Sequence, residues 1–451
     1  MKPSSRFLIA LLIPAALLAG ACAQAQSRTQ ATDQSQPEIT AGSRKPPPPP
    51  ARTEHWLASW AAAPQAYGQV PASVALAPPP PAELADITLR QAVRPTLSGS
   101  RMRIRFSNRF GRTPLHIASA SVAGLAGDGQ GPDVVPGSLR ALRFGGRPDI
   151  TIAPGAQAWS DPMASAVRAG KPVAISFRID AAAPYGTVHH MPPGATWSVP
   201  GDAVMRADWN AASASAFNHI VTGLDVAGGA ARTRVLVAFG DSITEGAGAT
   251  QDAGRPVRYP ELLAQRLQGR AGHGARFAVI NAGISGNRLL DDWVGPKAIG
   301  RFRDDVLGQS GATDVLILIG INDIGISLPA GAAGPAPGAP SAEALVAGLQ
   351  GLVEQARAAH VGVLLGTLTP FKGATYWSRE KEARRQAVND WIRRRGGDVR
   401  VVDFDAALRD AADPQALRSD VDSGDHLHPS TSGYKAMANA VDLKALLRDG
   451  K

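Results

Sequence analysis

The chain has 451 residues, too many for one ordinary domain, and a 44% hydrophobic content that is enough to build real cores. Gly (48) and Pro (36) are abundant while aromatics make up only 5%, a balance that suits many turns and some unstructured connections. The formal net charge of +9 is scattered among acidic residues. It lacks the clustered basic stripe with interleaved aromatics that a nucleic-acid surface needs, so no nucleic-acid partner is expected.

In chain order, Lys2 and Arg6 precede an apolar run from Phe7 to Gly20, followed by small residues. This is the pattern of an export leader, read here as residues 1–25. The run is shorter than the ~20 residues of a membrane span, and no later segment is long and apolar enough to cross. A periplasmic or extracellular protein is therefore expected. The only cysteine, Cys22, closes the leader. Leu18-Ala19-Gly20-Ala21-Cys22 resembles a bacterial lipobox, which implies a lipid anchor at Cys22 as the one membrane contact. Ala21-Cys22-Ala23 and Ala23-Gln24-Ala25 fit ordinary cleavage, and both readings stay open. Either way, one cysteine leaves the folded part without a disulfide. Residues 26–53 are polar, then proline-rich (Pro46 to Pro50), and read as a disordered tether with a stiff end.

Residues 54–225 read as all-β. Met102, Ile104 and Phe106 alternate with Arg101, Arg103 and Arg105, and Val173, Ile175, Phe177 and Ile179 alternate in the same way. Period two marks half-buried antiparallel strands. Turn clusters such as Leu97-Ser98-Gly99-Ser100 and Phe144-Gly145-Gly146 separate them, which predicts a sandwich or jelly roll. The three arginines read first as a solvated face, with an anionic polysaccharide or the partner domain as the sharper alternative. His189-His190-Met191 reads as a loop.

Residues 233–451 change character. Apolar strands (Val235–Phe239, Phe277–Ile280, Val315–Ile319, Val361–Leu368, Val399–Val402) alternate with helical patterns at 259–270, 343–358, 379–395 and 431–447. This predicts βαβ units and a three-layer α/β domain with a parallel sheet. A Gly/Ala/Pro-rich insert between Ile326 and Ser341 reads as a loop.

Four segments of this second part carry chemistry. Gly240-Asp241-Ser242 follows the first strand, Asn281 to Asn287 follows the second, and Gly320-Ile321-Asn322-Asp323 follows the third. Asp425-His426-Leu427-His428-Pro429 precedes the last helix. Three strand ends converge on one edge of such a sheet, and the fourth segment can fold over it. Acyl transfer needs a nucleophile, a base, a residue that orients the base, and donors for the oxyanion. Ser242 fits the first, His428 the second and Asp425 the third. The Ser242 N–H, the Gly286 N–H and the Asn322 side-chain amide fit the donors. His426 reads as a surface or supporting residue, Asp422 as a weaker rival to Asp425, and Asp323 as a structural, helix-capping residue. A metal site built on the two histidines lacks a ligand cluster elsewhere. Tyr376, Trp377 and Trp293 sit on loops near the expected site and could stack on sugar rings, line an acyl pocket or simply pack.

In this order and context, Ser242, Gly286, Asn322 and His428 resemble the four blocks of the SGNH hydrolases, the GDSL esterase family. Ile243 stands where many members have Leu. The resemblance covers about 200 residues from Arg234 onward and implies a flavodoxin-like sheet and a serine that also donates to the oxyanion. The Gly-x-Ser-x-Gly elbow of the rival α/β-hydrolases is absent. Trp56 to Trp60, Arg105 to Gly111 and Trp159 to Pro162 are loosely similar to secreted bacterial SGNH proteins with a β-rich N-terminal domain. The expectation is thus an exported, monomeric serine esterase with no metal or organic cofactor. It would act on a small-molecule or polysaccharide ester, with short acyl groups on carbohydrate as the first substrate. A lipase or arylesterase, an O-acyltransferase and an inert glycan-binding protein are the alternatives.

Overall fold

The computed structural model describes residues 54–68, 82–127, 129–190, 195–215, 217–228, 233–249, 255–269, 276–326, 339–395, 397 and 399–448. The leader, Cys22, the proline-rich tether and most of the 326–341 insert lie outside the described residues. From Thr53 to Lys451 the chain forms one compact unit.

The N-terminal part of this unit is built from antiparallel sheets. One sheet runs Leu57–Ala61, Val221–Ala227, Gly99–Ser107, Gln157–Trp159, with Met163–Val167 also paired to Gly99–Ser107. A second runs Ser213–Ser215, Thr196–Pro200, Ile87–Val93, Val173–Ile179, Ser119–Gly124, Arg140–Ala141. Phe106 of the first sheet meets Phe177 of the second edge-on, with ring centroids 5.8 Å apart, so the inward residues of both alternations share one core. The central strand Val173–Ile179 also buries Ala174 and Ser176. Trp197, Trp209 and Ala203 build a second small core that includes Ala174 on the outer face of its sheet. Three short strands, Gln65–Ala66, Thr187–His190 and Phe217–His219, form a further small sheet. His189 and His190 are therefore strand residues, not loop residues, because Thr187–His190 is paired on both sides.

The C-terminal part holds a five-stranded parallel sheet in the order Arg276–Gly283, Thr233–Gly240, Ala312–Leu318, Gly362–Gly366, Val399–Val402. In sequence this is 2-1-3-4-5, the doubly wound order whose switch point lies between the first and third strands. The first strand buries Val235 to Phe239 completely, as expected of a strand covered on both faces. Helices Tyr259–Gln268, Ala342–Ala358 and Arg379–Arg393 cover it.

Among the differences from the sequence reading, three bear on the site and the chain's end. The second strand runs on to Gly283, so Asn281 lies inside it. The last helix is two helices, Thr431–Ala440 and Leu443–Arg448, because Val441 turns extended and the Asp442 carboxylate accepts the Lys444 N–H to start a new helix. The segment Ala298–Phe302, continued by a π turn at Arg303–Leu307, is helix that the pattern did not predict.

The arginine strand is not a solvated face. Arg103 lies between Trp56 and Trp159, pairs with Asp225 at 2.8 Å and reaches Ser310 Oγ of the α/β part at 3.2 Å. Arg105 is buried and donates to Gln309 Oε1 at 3.3 Å. Arg109 pairs with Asp304 at 2.5 Å. Arg101, paired with Glu54, is the most exposed of the three strand arginines and is half-buried. The partner-domain alternative holds in part for Arg103 and Arg105: the α/β part supplies one acceptor to each, Ser310 Oγ and Gln309 Oε1, beside Asp225 and Thr222 of the β-rich part. Thr96 adds to the seam: its hydroxyl accepts the Val279 N–H, on the free side of the edge strand, at 3.1 Å.

Candidate active site

Asp241 ends the first parallel strand in extended conformation, and its carboxylate accepts the Ile243 N–H at 3.0 Å, capping a one-turn helix, Ser242–Glu245. The helix lies so close to the second strand that a Cβ on Gly283 would come within 2.3 Å of the Glu245 nitrogen. Only glycine allows that approach. Burial pushes the Asp241 carboxyl up to about 7, against the Ile243 hydrogen bond that favours the anion.

His428 Nε2 lies 2.8 Å from Ser242 Oγ, and His428 Nδ1 lies 2.6 Å from Asp425 Oδ2. Asp425 Oδ1 also accepts the Leu427 and His428 N–H groups, at 3.0 and 2.8 Å. A carboxylate only accepts, so Nδ1 carries the ring proton and the Nε2 lone pair faces the serine hydroxyl. Partial burial opposes ionisation of Asp425, but the His428 hydrogen bond, the imidazole charge and the two amides outweigh it. They hold the carboxyl well below the usual carboxylate range.

The other two segments arrive at the same edge. Gly240 is in register with Gly283 on one neighbour and Leu318 on the other, so the three strand ends are level. Gly286 has φ +74, and a Cβ there would meet Val294 Cγ2 at 2.8 Å, so both conformation and space require glycine. The Ser242 and Gly286 N–H groups donate to no other group among the described residues. Asn322 is buried and uses one amide hydrogen on the Asn287 carbonyl at 3.0 Å, which leaves its second hydrogen. Asp323 does not cap its helix: its two oxygens accept the Leu289 and Leu290 N–H groups at 2.7 and 3.0 Å, tying the second segment to the third. Burial pushes it up to about 6.

The two Asp–His assignments separate cleanly. Asp422 orients the half-exposed His426 (2.6 Å to Nδ1), while Asp425 orients His428. Tyr376 packs its ring on Gly325. Burial, with Asp241 and Asp425 nearby, raises its phenol above the ordinary value. Tyr376 Oη, Trp377 Nε1 and Trp293 Nε1 are buried without a hydrogen-bond partner among the described residues. No group of three or more His, Cys, Asp or Glu among the described residues is placed to hold a metal.

Arg301 was not legible in the sequence. It is fully buried and donates to the carbonyls of Gly240 (2.7 Å) and Ala282 (2.9 Å), to Asn287 Oδ1 (2.9 Å) and to Asp305 (3.0 Å). One guanidinium thus fixes the ends of two strands and the turn that carries Gly286. Its only sequence signal was an arginine in an otherwise apolar stretch, Ala298 to Phe302, that did not read as helix. Glu245 is the second omission. It stands three residues after Ser242 and accepts the Ser285 N–H.

Residues 238–436 match the family model of the GDSL-like lipase/acylhydrolase family. No curated protein matches the chain. Among solved structures, it is similar to a GDSL-like lipase from Bacteroides thetaiotaomicron at 19% identity, over 48% of this chain and 89% of that one, with a TM-score of 0.33. An acetyl xylan esterase is similar at 18% identity, over 46% and 96%, with a TM-score of 0.34. An acetyl esterase variant with acetate ion is similar at 18%, over 48% and 100%, with a TM-score of 0.34. Residues 238–436 thus form a GDSL-like lipase/acylhydrolase domain, and the chain is a carboxylic ester hydrolase.

Proposed function

We propose that the protein is an exported serine esterase that removes short acyl groups, acetyl first, from carbohydrate through an acyl-enzyme. The observation that carries the serine mechanism is the continuous line from Ser242 Oγ through His428 to Asp425, at 2.8 and 2.6 Å. His428 Nε2 takes the Ser242 proton as Oγ bonds to the ester carbonyl carbon. The oxyanion accepts from the N–H groups of Ser242 and Gly286 and from Asn322 Nδ2. The C–O bond to the alcohol then breaks, and His428 returns the proton to the departing oxygen. Water enters, gives a proton to His428 and attacks the acyl carbon. The second tetrahedral species breaks its bond to Ser242 Oγ, which takes the proton back from His428, and the free acid leaves. No step of this scheme calls for a cofactor. A carbohydrate alcohol is supported by Tyr376, Trp377 and Trp293, half-buried aromatic rings of the kind that stack on sugar faces. Export is supported by the leader pattern, Lys2 to Gly20, and a lipid anchor by Cys22 alone.

Ser242→Ala is the direct test. Turnover of p-nitrophenyl acetate and labelling by a fluorophosphonate should both vanish while thermal unfolding is unchanged. Retained turnover would remove the mechanism. Acetylated xylan compared with p-nitrophenyl esters of increasing chain length tests the substrate, and a preference for long acyl chains would shift it to a lipase.

A further inference from the structure

The small antiparallel sheet of the N-terminal part reaches the nucleophile helix through one side chain. His189, buried on the strand Thr187–His190, sets Nδ1 2.7 Å from the Ala63 carbonyl and Nε2 2.9 Å from Glu245 Oε1. Glu245 is the last residue of the helix that begins at Ser242, and it too is buried. Its other oxygen, Oε2, accepts the N–H of Ser285, the residue immediately before Gly286. Asn281 Nδ2 donates to the Thr244 carbonyl at 3.0 Å and fastens the same helix to the second strand.

The proton count follows from the partners. A carbonyl only accepts, so Nδ1 of His189 bears a hydrogen. A bare lone pair on Nε2 would then face a carboxylate oxygen at 2.9 Å in a buried place, which is repulsive. The pair therefore holds one further proton, on Nε2 or on Oε1. The contact is a close ion-pair approach and not an aligned hydrogen bond, so Oε1 has no directed partner among the described residues and that proton is what offsets its burial.

We infer that His189 and Glu245 are positioning residues for the oxyanion site, through which the β-rich part fixes the turn that presents the Gly286 amide. The inference rests on the serine-esterase reading above. The chain of contacts runs His189, Glu245, Ser285 N–H, Gly286, and each link is a named distance or hydrogen bond. Gly286 alone cannot hold its amide in place: glycine at φ +74 has the widest conformational freedom of any residue. Anchoring the preceding N–H restricts that freedom. A donor displaced from the oxyanion loses its effect on the transition state and leaves substrate binding nearly untouched.

The test uses the full chain and p-nitrophenyl acetate. E245A removes the acceptor of the Ser285 N–H, and kcat should fall about 10- to 100-fold, with KM within about twofold. E245Q should restore most of kcat, because its amide oxygen keeps the Ser285 hydrogen bond and its amide N–H donates to His189 Nε2. His189→Ala should lower kcat about tenfold. Thermal unfolding is followed for each variant. A purely structural role predicts lower melting temperature with native kcat in the folded fraction, and that result overturns the inference. So does a folded E245Q no better than E245A, or a loss confined to KM. If E245A does not fold, E245Q and His189→Ala decide, and native kcat in His189→Ala overturns it. Failure of the underlying reading looks different: the unmodified chain would then neither turn over ester nor label with fluorophosphonate.

Discussion

The two parts of the molecule contribute to the site in different ways. The α/β part supplies the proposed reacting groups: Ser242, Gly286 and Asn322 follow strand ends, and Asp425 and His428 come from the loop before Thr431–Ala440. The antiparallel part supplies none of them, yet sends Arg105, Arg109, Thr96 and His189 across the seam. Chemistry at strand ends is local in sequence, whereas support arrives from strands more than 50 residues upstream. A β-rich module joined to a hydrolase is thus more than a neighbour here, because one of its buried side chains, His189, ends on the helix that begins at Ser242.

The largest effect that sharpens this contrast comes from the reacting side. Asp425→Asn should lower kcat by about 10³- to 10⁴-fold, by favouring the wrong His428 tautomer, without changing thermal unfolding. Asp422→Asn, at the parallel pair with His426, should change kcat by less than about threefold. Equal losses in the two variants would break the assignment. Next comes Arg301→Met, which leaves Asp305 buried beside an apolar chain and should cost about 3–5 kcal/mol in urea unfolding. A cost below about 1 kcal/mol would mean the strand ends hold without it. From the antiparallel side, Arg105→Met leaves the Gln309 amide oxygen without its arginine donor and the Thr222 carbonyl with the Ala62 N–H alone, and should cost about 1–3 kcal/mol. A larger cost than at Arg301 would reverse the ranking of the two parts.

Two further effects are in pH. The folded-state pKa of Asp241 is raised to about 7 from 3.8, so its contribution is fully present below about pH 4 and is lost as pH rises through about 7. Asp241→Asn should flatten that decline in unfolding curves. Asp425 runs the other way. Its folded-state pKa is depressed, so its contribution is present above the unfolded value and is lost only as pH falls below the usual carboxylate range. A stability maximum that did not respond to Asp241→Asn would contradict the burial of that carboxyl.

Legibility in the sequence followed the same division. The five parallel strands and the positions of Ser242, Gly286, Asn322, Asp425 and His428 could be read because each lies at a change of pattern. Period two at Met102 to Phe106 identified the inward face correctly. It could not say what covers the outward face, so Arg103 and Arg105 read as solvated when Trp56, Trp159, Gln309 and Asp225 cover them. His189 read as a loop because Thr187–His190 is four residues long, too short for an alternation to register. Arg301 and Glu245 carry no periodic signal, since their meaning lies in the carbonyls and amides they reach.

The Thr96 hydroxyl has a practical consequence for dissecting the chain. It accepts the Val279 N–H as a neighbouring strand would. A fragment starting near residue 233 would keep every reacting group but uncover the outer flank of Arg276–Gly283. Such a bare flank invites a second copy to add itself there, so the shortened enzyme is expected to self-associate before it loses its chemistry.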